Sequence, residues 1–155
     1  MKREITQIRD LELMESELVS AKVGVLAMHG QDDKILQLPM TFYYKDKNIF
    51  LFFEEDNDLF ETLQFNTNVI FTIYKERKVR TSKKSEYKAT YKFLIISIYG
   101  VIKKIEDSKS TEELKNFYAE KYSGKKSLQG LDYSLINKAV LIDTEEIKAV
   151  EESGG

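Results

Sequence analysis

The residue types that perform acid–base, nucleophilic and metal chemistry are few in this sequence. It has one histidine, His29, and no cysteine, which excludes thiolate nucleophiles, zinc–thiolate centres and disulfides. A Ser-His-Asp hydrolase would have to use His29, which lies where an apolar run ends in the polar residues 30–33, with no nucleophile elbow nearby. We interpret His29 as an ordinary loop histidine and predict no catalytic side chain.

Carboxylates gather in one place, at residues 54–58. Glu54, Glu55, Asp56 and Asp58 are close in sequence but lack the spaced ligands and the glycine of a calcium loop. Structural zinc sites need His or Cys ligands that this chain cannot supply in number. We therefore predict a solvated acidic turn and no metal site.

Basic residues are concentrated in residues 75–92, which contain eight Lys and Arg residues against two glutamates. The whole chain is nearly neutral, with a formal net charge of −2, so it lacks the domain-wide positive field of a dedicated nucleic-acid binder. We interpret this basic arm as a mobile polar loop and expect no nucleic-acid partner.

Length and composition bound the fold. With 155 residues, 42% of them hydrophobic and only one proline, the chain forms one compact domain spanning residues 1–155. The polar amino terminus has no signal-peptide core, and no apolar run approaches the roughly 18 residues that span a bilayer. We expect a soluble cytoplasmic protein with no membrane partner.

Hydrophobic periodicity divides the chain into strands and short helices. Asp10 is a candidate N-cap of the first helix, Asn57 of a short second helix, and Ser110 opens a capping box. The predicted segments are a leading helix at 10–22, barrel strands within 23–105 including a hairpin at 36–53, a helix at 110–123, a last strand at 139–143 and a polar tail at 145–155. Six strands joined mostly by hairpins predict a mainly β protein, an antiparallel barrel with peripheral helices.

The strand predicted at residues 91–103 has two hydrophobic faces. Leu94, Ile96 and Ile98 belong to an aliphatic face, whereas Ile95 and Tyr99 belong to an aromatic, amphipathic one. One face lines the core, and the other would leave a large exposed apolar patch. We therefore predict that a second subunit covers it in a homodimer. Gly100 is a candidate β-bulge in this strand.

The order of these elements resembles the pyridoxamine 5′-phosphate oxidase-like family, in particular its general-stress and nitroimidazole-resistance branches. The resemblance covers residues 10–145 and rests on short motifs. These are Gly24-Val25-Leu26-Ala27-Met28, Leu38-Pro39-Met40, Asn48-Ile49-Phe50-Leu51-Phe52-Phe53, Asn66-Thr67-Asn68-Val69 and Ile98-Tyr99-Gly100-Val101. It implies a homodimeric split β-barrel that binds FMN between its subunits and acts as an oxidoreductase on a small molecule.

The resemblance also implies a cofactor site. The segment Leu38, Pro39 and Met40 runs beside the flavin ring, and Phe53 and Asn57 flank the phosphate side. Lys75 or Arg80 of the basic arm would supply positive charge there.

The phosphate side departs from the family pattern, because this chain has the acidic turn where relatives carry Ser or Arg and then Lys. Like charges oppose a phosphate dianion. The alternatives are therefore a non-catalytic dimeric barrel that binds haem, a deazaflavin or another planar ligand, with His29 as a haem ligand, or a barrel that binds no cofactor.

Overall fold

The computed structural model describes residues 3–77, 91–123 and 135–154. Within these ranges the chain forms strands, three α-helices and one 3-10 turn. They are β1 (Arg3–Ile8), α1 (Leu11–Ser20), β2 (Gly24–His29), the turn Gln31–Asp33, β3 (Ile35–Met40), β4 (Tyr43–Lys45), β5 (Asn48–Glu54), α2 (Asp58–Thr62), β6 (Asn68–Glu76), β7 (Tyr91–Ile105), α3 (Ser108–Ser123) and β8 (Ile136–Gly154).

The described strands form one antiparallel sheet of eight strands, rather than the six that the sequence predicted. The order is β3-β2-β6-β7-β8-β5-β4, and β1 pairs with β8 beside this path. The mainly β, antiparallel fold class is therefore confirmed, and the strand count was wrong.

The polar tail predicted at residues 145–155 is also wrong. Strand β8 continues to Gly154 and pairs with β7 from Ala139 to Gly154, while its last residues pair with β1. Charged residues alternate there with Ile147, which is partly buried against the core, and Ala149, which is 1% exposed. Hydrogen bonds to a strand on each side hold this segment extended in spite of its polar composition.

The hairpin predicted over residues 36–53 is replaced by two separate pairings. Strand β3 pairs with β2, and only β4 pairs with β5. The chain crosses between the two ends of the strand order at Phe42, whose fully buried ring packs edge-on against Phe71 at a centroid distance of 4.9 Å. The β4–β5 turn has positive φ at Asp46 and Lys47 (51° and 67°), as a tight hairpin requires.

The inner face of the sheet forms one hydrophobic core. Strands next to both ends of the strand order, β2 and β5, contribute fully buried side chains to it, which means that the sheet curls around this core. These side chains include Leu26, Ile49, Leu51, Phe71, Ile98 and Ile142. The aliphatic face predicted for β7 is the buried one.

Side chains cap the N-termini of the helices. Asp10 accepts a hydrogen bond from Leu13 N of α1, and Asn57 accepts one from Leu59 N of α2. Helix α3 begins at Ser108, two residues before the predicted start, and Asp107 rather than Ser110 accepts from the backbone N–H of Lys109. No helix in the described part of the chain is both long and apolar enough to cross a membrane.

Candidate functional site

A groove of about 500 Å³ lies on the outer face of the sheet, near the end of β2. Strand register aligns one row of residues along it, because directly paired residues point to the same face. The row runs Ala27, Ile70, Tyr99 and Glu146 across β2, β6, β7 and β8. Ile35, which is 76% exposed, lies at the edge of the groove. The groove therefore has apolar walls and one acidic end.

Gly100 shapes this groove opposite a β-bulge, which the sequence predicted in β7 but which lies on the partner strand β8. Tyr99 pairs with Glu146 whereas Gly100 pairs with Thr144, so Glu145 is the extra residue on β8. A Cβ atom at position 100 would overlap the backbone oxygen of Asp143. Only glycine permits this close approach, and the bulge places both Glu145 and Glu146 on the groove wall.

The charged groups at the groove are mainly acidic. Glu145 and Glu146 line it together with His29, the chain's one histidine. Lys148 lies close by, but its Nζ is 3.7 Å from Glu146 and 5.4 Å from the centre of the Tyr99 ring. The described residues thus give this groove little free positive charge.

The three residues predicted to lie beside a flavin ring divide between the two faces of the sheet. Pro39 is exposed and pairs with Val25, which pairs in turn with Thr72. These three residues form a second row on the outer face, next to the groove row. Leu38 and Met40 alternate with Pro39 and pack against the core. Pro39 therefore lies on the face of the groove, whereas the side chains of Leu38 and Met40 lie on the opposite face.

The residues predicted for the phosphate side have structural roles in core packing and helix capping. Phe53 is 2% exposed, and its ring packs against Phe60 at 5.6 Å. The side chain of Asn57 caps α2, and the four carboxylates of the turn around it are exposed. Neither Phe53 nor Asn57 lines the groove.

The two predicted basic contacts also lie away from the groove. Lys75 belongs to β6, where its Nζ pairs with a carboxylate oxygen of Glu17 in α1 at 3.1 Å. Arg77 reaches the other oxygen of Glu17 at 3.7 Å. Arg80 lies outside the described residues. The two ends of the predicted basic arm belong to β6 and β7.

Metal ligands do not gather anywhere in residues 3–77, 91–123 and 135–154, which contain no group of three or more His, Asp or Glu side chains placed to hold an ion.

Sequence analysis did not identify the groove row as a site. The one sequence pattern that pointed to the groove was the alternation along β7, which placed Tyr99 on the outer face next to Gly100. Ala27, Ile70 and Glu146 come from three other strands, so their proximity depends on register between distant segments.

The groove suits a flat, mostly uncharged group. Its volume falls within the range of small-molecule sites, which are mainly apolar with a few polar groups. A phosphate fits less well, because Glu145 and Glu146 would repel it and Lys148 nearby is paired with Glu146. The ring of a flavin therefore fits the described residues, and its phosphate does not.

Comparison with known proteins shows the fold. No protein-family model matches the sequence, and no curated protein matches it. A candidate 5-nitroimidazole antibiotic resistance protein from Bacteroides thetaiotaomicron is similar in structure over 100% of this chain and 93% of its own, with 16% identity and a TM-score of 0.76. The FAD and heme binding protein from Mycobacterium smegmatis matches over 92% of this chain and 71% of its own, with 11% identity and a TM-score of 0.70.

A third similar structure is a candidate pyridoxamine 5′-phosphate oxidase from Corynebacterium glutamicum. It matches over 96% of this chain and 98% of its own, with 16% identity and a TM-score of 0.63. At these identities the comparisons establish the shared fold. The chain therefore adopts the fold of these proteins, as its resemblance to the pyridoxamine 5′-phosphate oxidase-like family implies.

Proposed function

We propose that this protein binds a flavin, FMN or FAD, and acts as a flavin-dependent oxidoreductase on a small molecule. The observation that carries the proposal is the apolar groove on the outer face of a sheet whose fold is shared with a protein named for binding FAD. A bound flavin supplies the two-electron chemistry. The chain's own residues orient the ring and exclude water from it.

Strand β3 is the proposed support for the ring. It pairs with β2 on one side only in the described sheet, so its other edge has backbone groups available for the polar edge of a heterocycle. Pro39 presents its side chain on the groove face, and Leu38 and Met40 fix the strand against the core.

Phe53 and Asn57, with Lys75 or Arg80, remain the proposed phosphate side. To reach a phosphate, Lys75 must first break its ion pair with Glu17. While Lys75 stays paired with Glu17, the acidic groove repels a phosphate, and riboflavin should bind at least as tightly as FMN. If Lys75 leaves Glu17 and contacts the phosphate, FMN should bind more tightly than riboflavin, and Lys75→Met should remove the difference in affinity.

A flavin titration tests the proposal. Riboflavin, FMN and FAD are added to the purified protein, and quenching of flavin fluorescence is measured. Ala27→Trp fills the groove from its small-residue position and should abolish quenching, whereas Thr72→Val, in the neighbouring row, should leave it unchanged. Absence of quenching by all three flavins at high micromolar concentration would falsify the proposal.

A homodimer is part of the same proposal. The outer face exposes 36% of Ile70 and 69% of Tyr74, and a second copy on this face would cover the apolar surface and close the groove.

Haem is the second candidate ligand, and one observation favours it. His29 lines the groove, and imidazole is a common axial ligand of haem iron. A protein of the same fold is named for binding both FAD and heme. Addition of hemin should produce a sharp Soret band that His29→Ala removes. An unchanged Soret band in that variant would exclude His29 as the ligand.

A further inference from the structure

A second pocket lies between α1, β4 and α3. Its volume is about 250 Å³, and it is lined by Val19, Tyr43, Tyr44, Phe117, Glu120 and Lys121. It shares no residue with the groove on the outer face. Two of its walls are the stacked rings of Tyr43 and Phe117, whose centroids are 5.8 Å apart and whose planes differ by 6°. The pocket therefore offers flat apolar surfaces around one amine.

That amine, Nζ of Lys121, is held in place. It donates a hydrogen bond to the backbone oxygen of Phe42 at 3.0 Å and lies 3.8 Å from the centre of the Phe42 ring. The Tyr122 ring is 5.2 Å away. An amine in such surroundings loses hydration that a charged ammonium needs. The loss of hydration therefore raises the neutral, nucleophilic fraction of the amine, although the Phe42 ring and carbonyl stabilise its charged form.

The charges around Lys121 act in the same direction. Burial lowers its pKa to about 8, and repulsion by Lys22 adds to the effect. In the described part of the chain no carboxylate lies within 4.0 Å of its Nζ. Glu120, which lines the pocket, raises the pKa of the Tyr43 hydroxyl, after burial as the main cause. Tyr44 donates its hydroxyl proton to Glu15.

We propose that Lys121 is a covalent binding site for small aldehydes or ketones that carry a flat apolar group. The lone pair of Nζ attacks the carbonyl carbon and forms a carbinolamine. Loss of water from it gives an imine, so that the carbonyl oxygen leaves with both hydrogens of the amine. Glu120 lines the same pocket but makes no ion pair with Nζ, so protons pass between the nitrogen, this carboxylate and the departing hydroxyl through water. No oxidant or reductant takes part.

The apolar walls favour this class of ligand over other electrophiles. Ring contacts with Tyr43 and Phe117 recognise a flat substituent, and exclusion of water favours the dehydrated imine over the free carbonyl compound. A charged substituent would lose hydration without gaining an ion pair from an aromatic wall.

Reductive trapping tests the proposal. The full-length protein is treated at pH 8 with benzaldehyde and cyanoborohydride, and peptide mass mapping follows the addition of one benzyl group at each amine. Lys109, an exposed lysine on the same helix, is the internal reference. Because its pKa is lowered, a far larger fraction of Lys121 is neutral at pH 8. A less basic amine is also a weaker nucleophile, which offsets part of this gain. Lys121 should therefore react about tenfold faster than Lys109.

Two variants separate the amine from its pocket. Lys121→Arg keeps the positive charge and removes the nucleophile, and it should lose the fast adduct. Val19→Trp fills the pocket from an exposed position on α1 and should slow the reaction of an intact Lys121. Unfolding the wild-type protein in urea should make Lys121 and Lys109 react equally.

The proposal is overturned if Lys121 reacts no faster than Lys109 in the folded protein, or if Val19→Trp, shown to be folded by circular dichroism, reacts at the wild-type rate. Mapping distinguishes these adducts from those of the terminal amine. Flavin binding is measured separately, so failure here leaves the proposed function standing, and the reverse also holds.

Discussion

The amine of Lys121 lies 3.8 Å from the centre of the Phe42 ring and donates a hydrogen bond to the carbonyl oxygen of that residue. Tyr122 binds the same residue from the next position of α3, because its hydroxyl accepts from the Phe42 N–H at 3.0 Å. The end of α3 is thereby attached to the point where the chain crosses from β3 to β4. An amine with a lowered pKa thus lies at the link between helix and sheet.

The first prediction concerns the pH dependence of stability. The folded-state pKa of Lys121, about 8, is below its ordinary value of 10.5, so the folded protein binds fewer protons than the unfolded chain between these values. The free energy of unfolding should therefore rise as the pH increases above 8, by about 1–2 kcal/mol after allowance for partial exposure. Urea denaturation between pH 7 and 9.5 measures it.

Lys121→Met is the matched variant for this experiment. Subtracting its pH profile from that of the wild type removes the contributions of other groups, including the buried tyrosine Tyr44, whose pKa is raised. The rise should appear in the difference. Identical profiles for the two proteins would show that Lys121 keeps an ordinary pKa.

The second prediction concerns Gly100. In Gly100→Ala the added methyl group overlaps the backbone oxygen of Asp143, so the bulge must shift. We expect a loss of about 1–3 kcal/mol in unfolding free energy, the range for steric overpacking, and weaker flavin binding. Ser97→Ala, in the same strand, is the control and should cost less than about 1 kcal/mol. Equal stability of the two variants would contradict the role given to the bulge.

The sequence predicted those elements whose signal is local. The caps at Asp10 and Asn57 each need a side chain and a backbone N–H two or three residues away. The two faces of β7 follow from alternation within one strand. The tail at residues 145–155 failed because its charged residues suggest solvent, whereas pairing with β7 and β1 keeps it in the sheet.

The hairpin at residues 36–53 failed for a different reason. Leu36, Leu38, Met40, Phe42 and Tyr44 all face the core, so alternation continues unbroken while the pairing partner changes from β2 to β5. The groove could not be predicted for the same reason, because it too depends on which strands pair. Register between four distant strands brings its row together, and period-two patterning carries no information about partners.

The third prediction concerns Glu17, which joins α1 to the end of β6. Its side chain is 11% exposed and contacts Lys75 and Arg77. Glu17→Gln leaves these cations near a neutral group, and we expect a loss of about 1–3 kcal/mol in unfolding free energy. Glu12→Gln, an exposed position on the same helix, should change it by less than about 0.5 kcal/mol. Equal effects in urea denaturation would show that the Glu17 contacts contribute nothing.

The last prediction concerns the outer face of the sheet, where the proposed homodimer forms. Tyr74 is 69% exposed and pairs with Ile95 of β7, on the same face as the groove row. Tyr74→Glu places a charge on the proposed interface of each subunit and replaces a ring that the partner would bury, so it should shift the protein to monomers in sedimentation velocity experiments. Leu11→Glu changes an exposed leucine of α1 and should leave the dimer intact. A wild-type protein that sediments as a monomer at high micromolar concentration would overturn the proposed homodimer, and a Tyr74→Glu variant that stays dimeric would move the subunit contact away from this face.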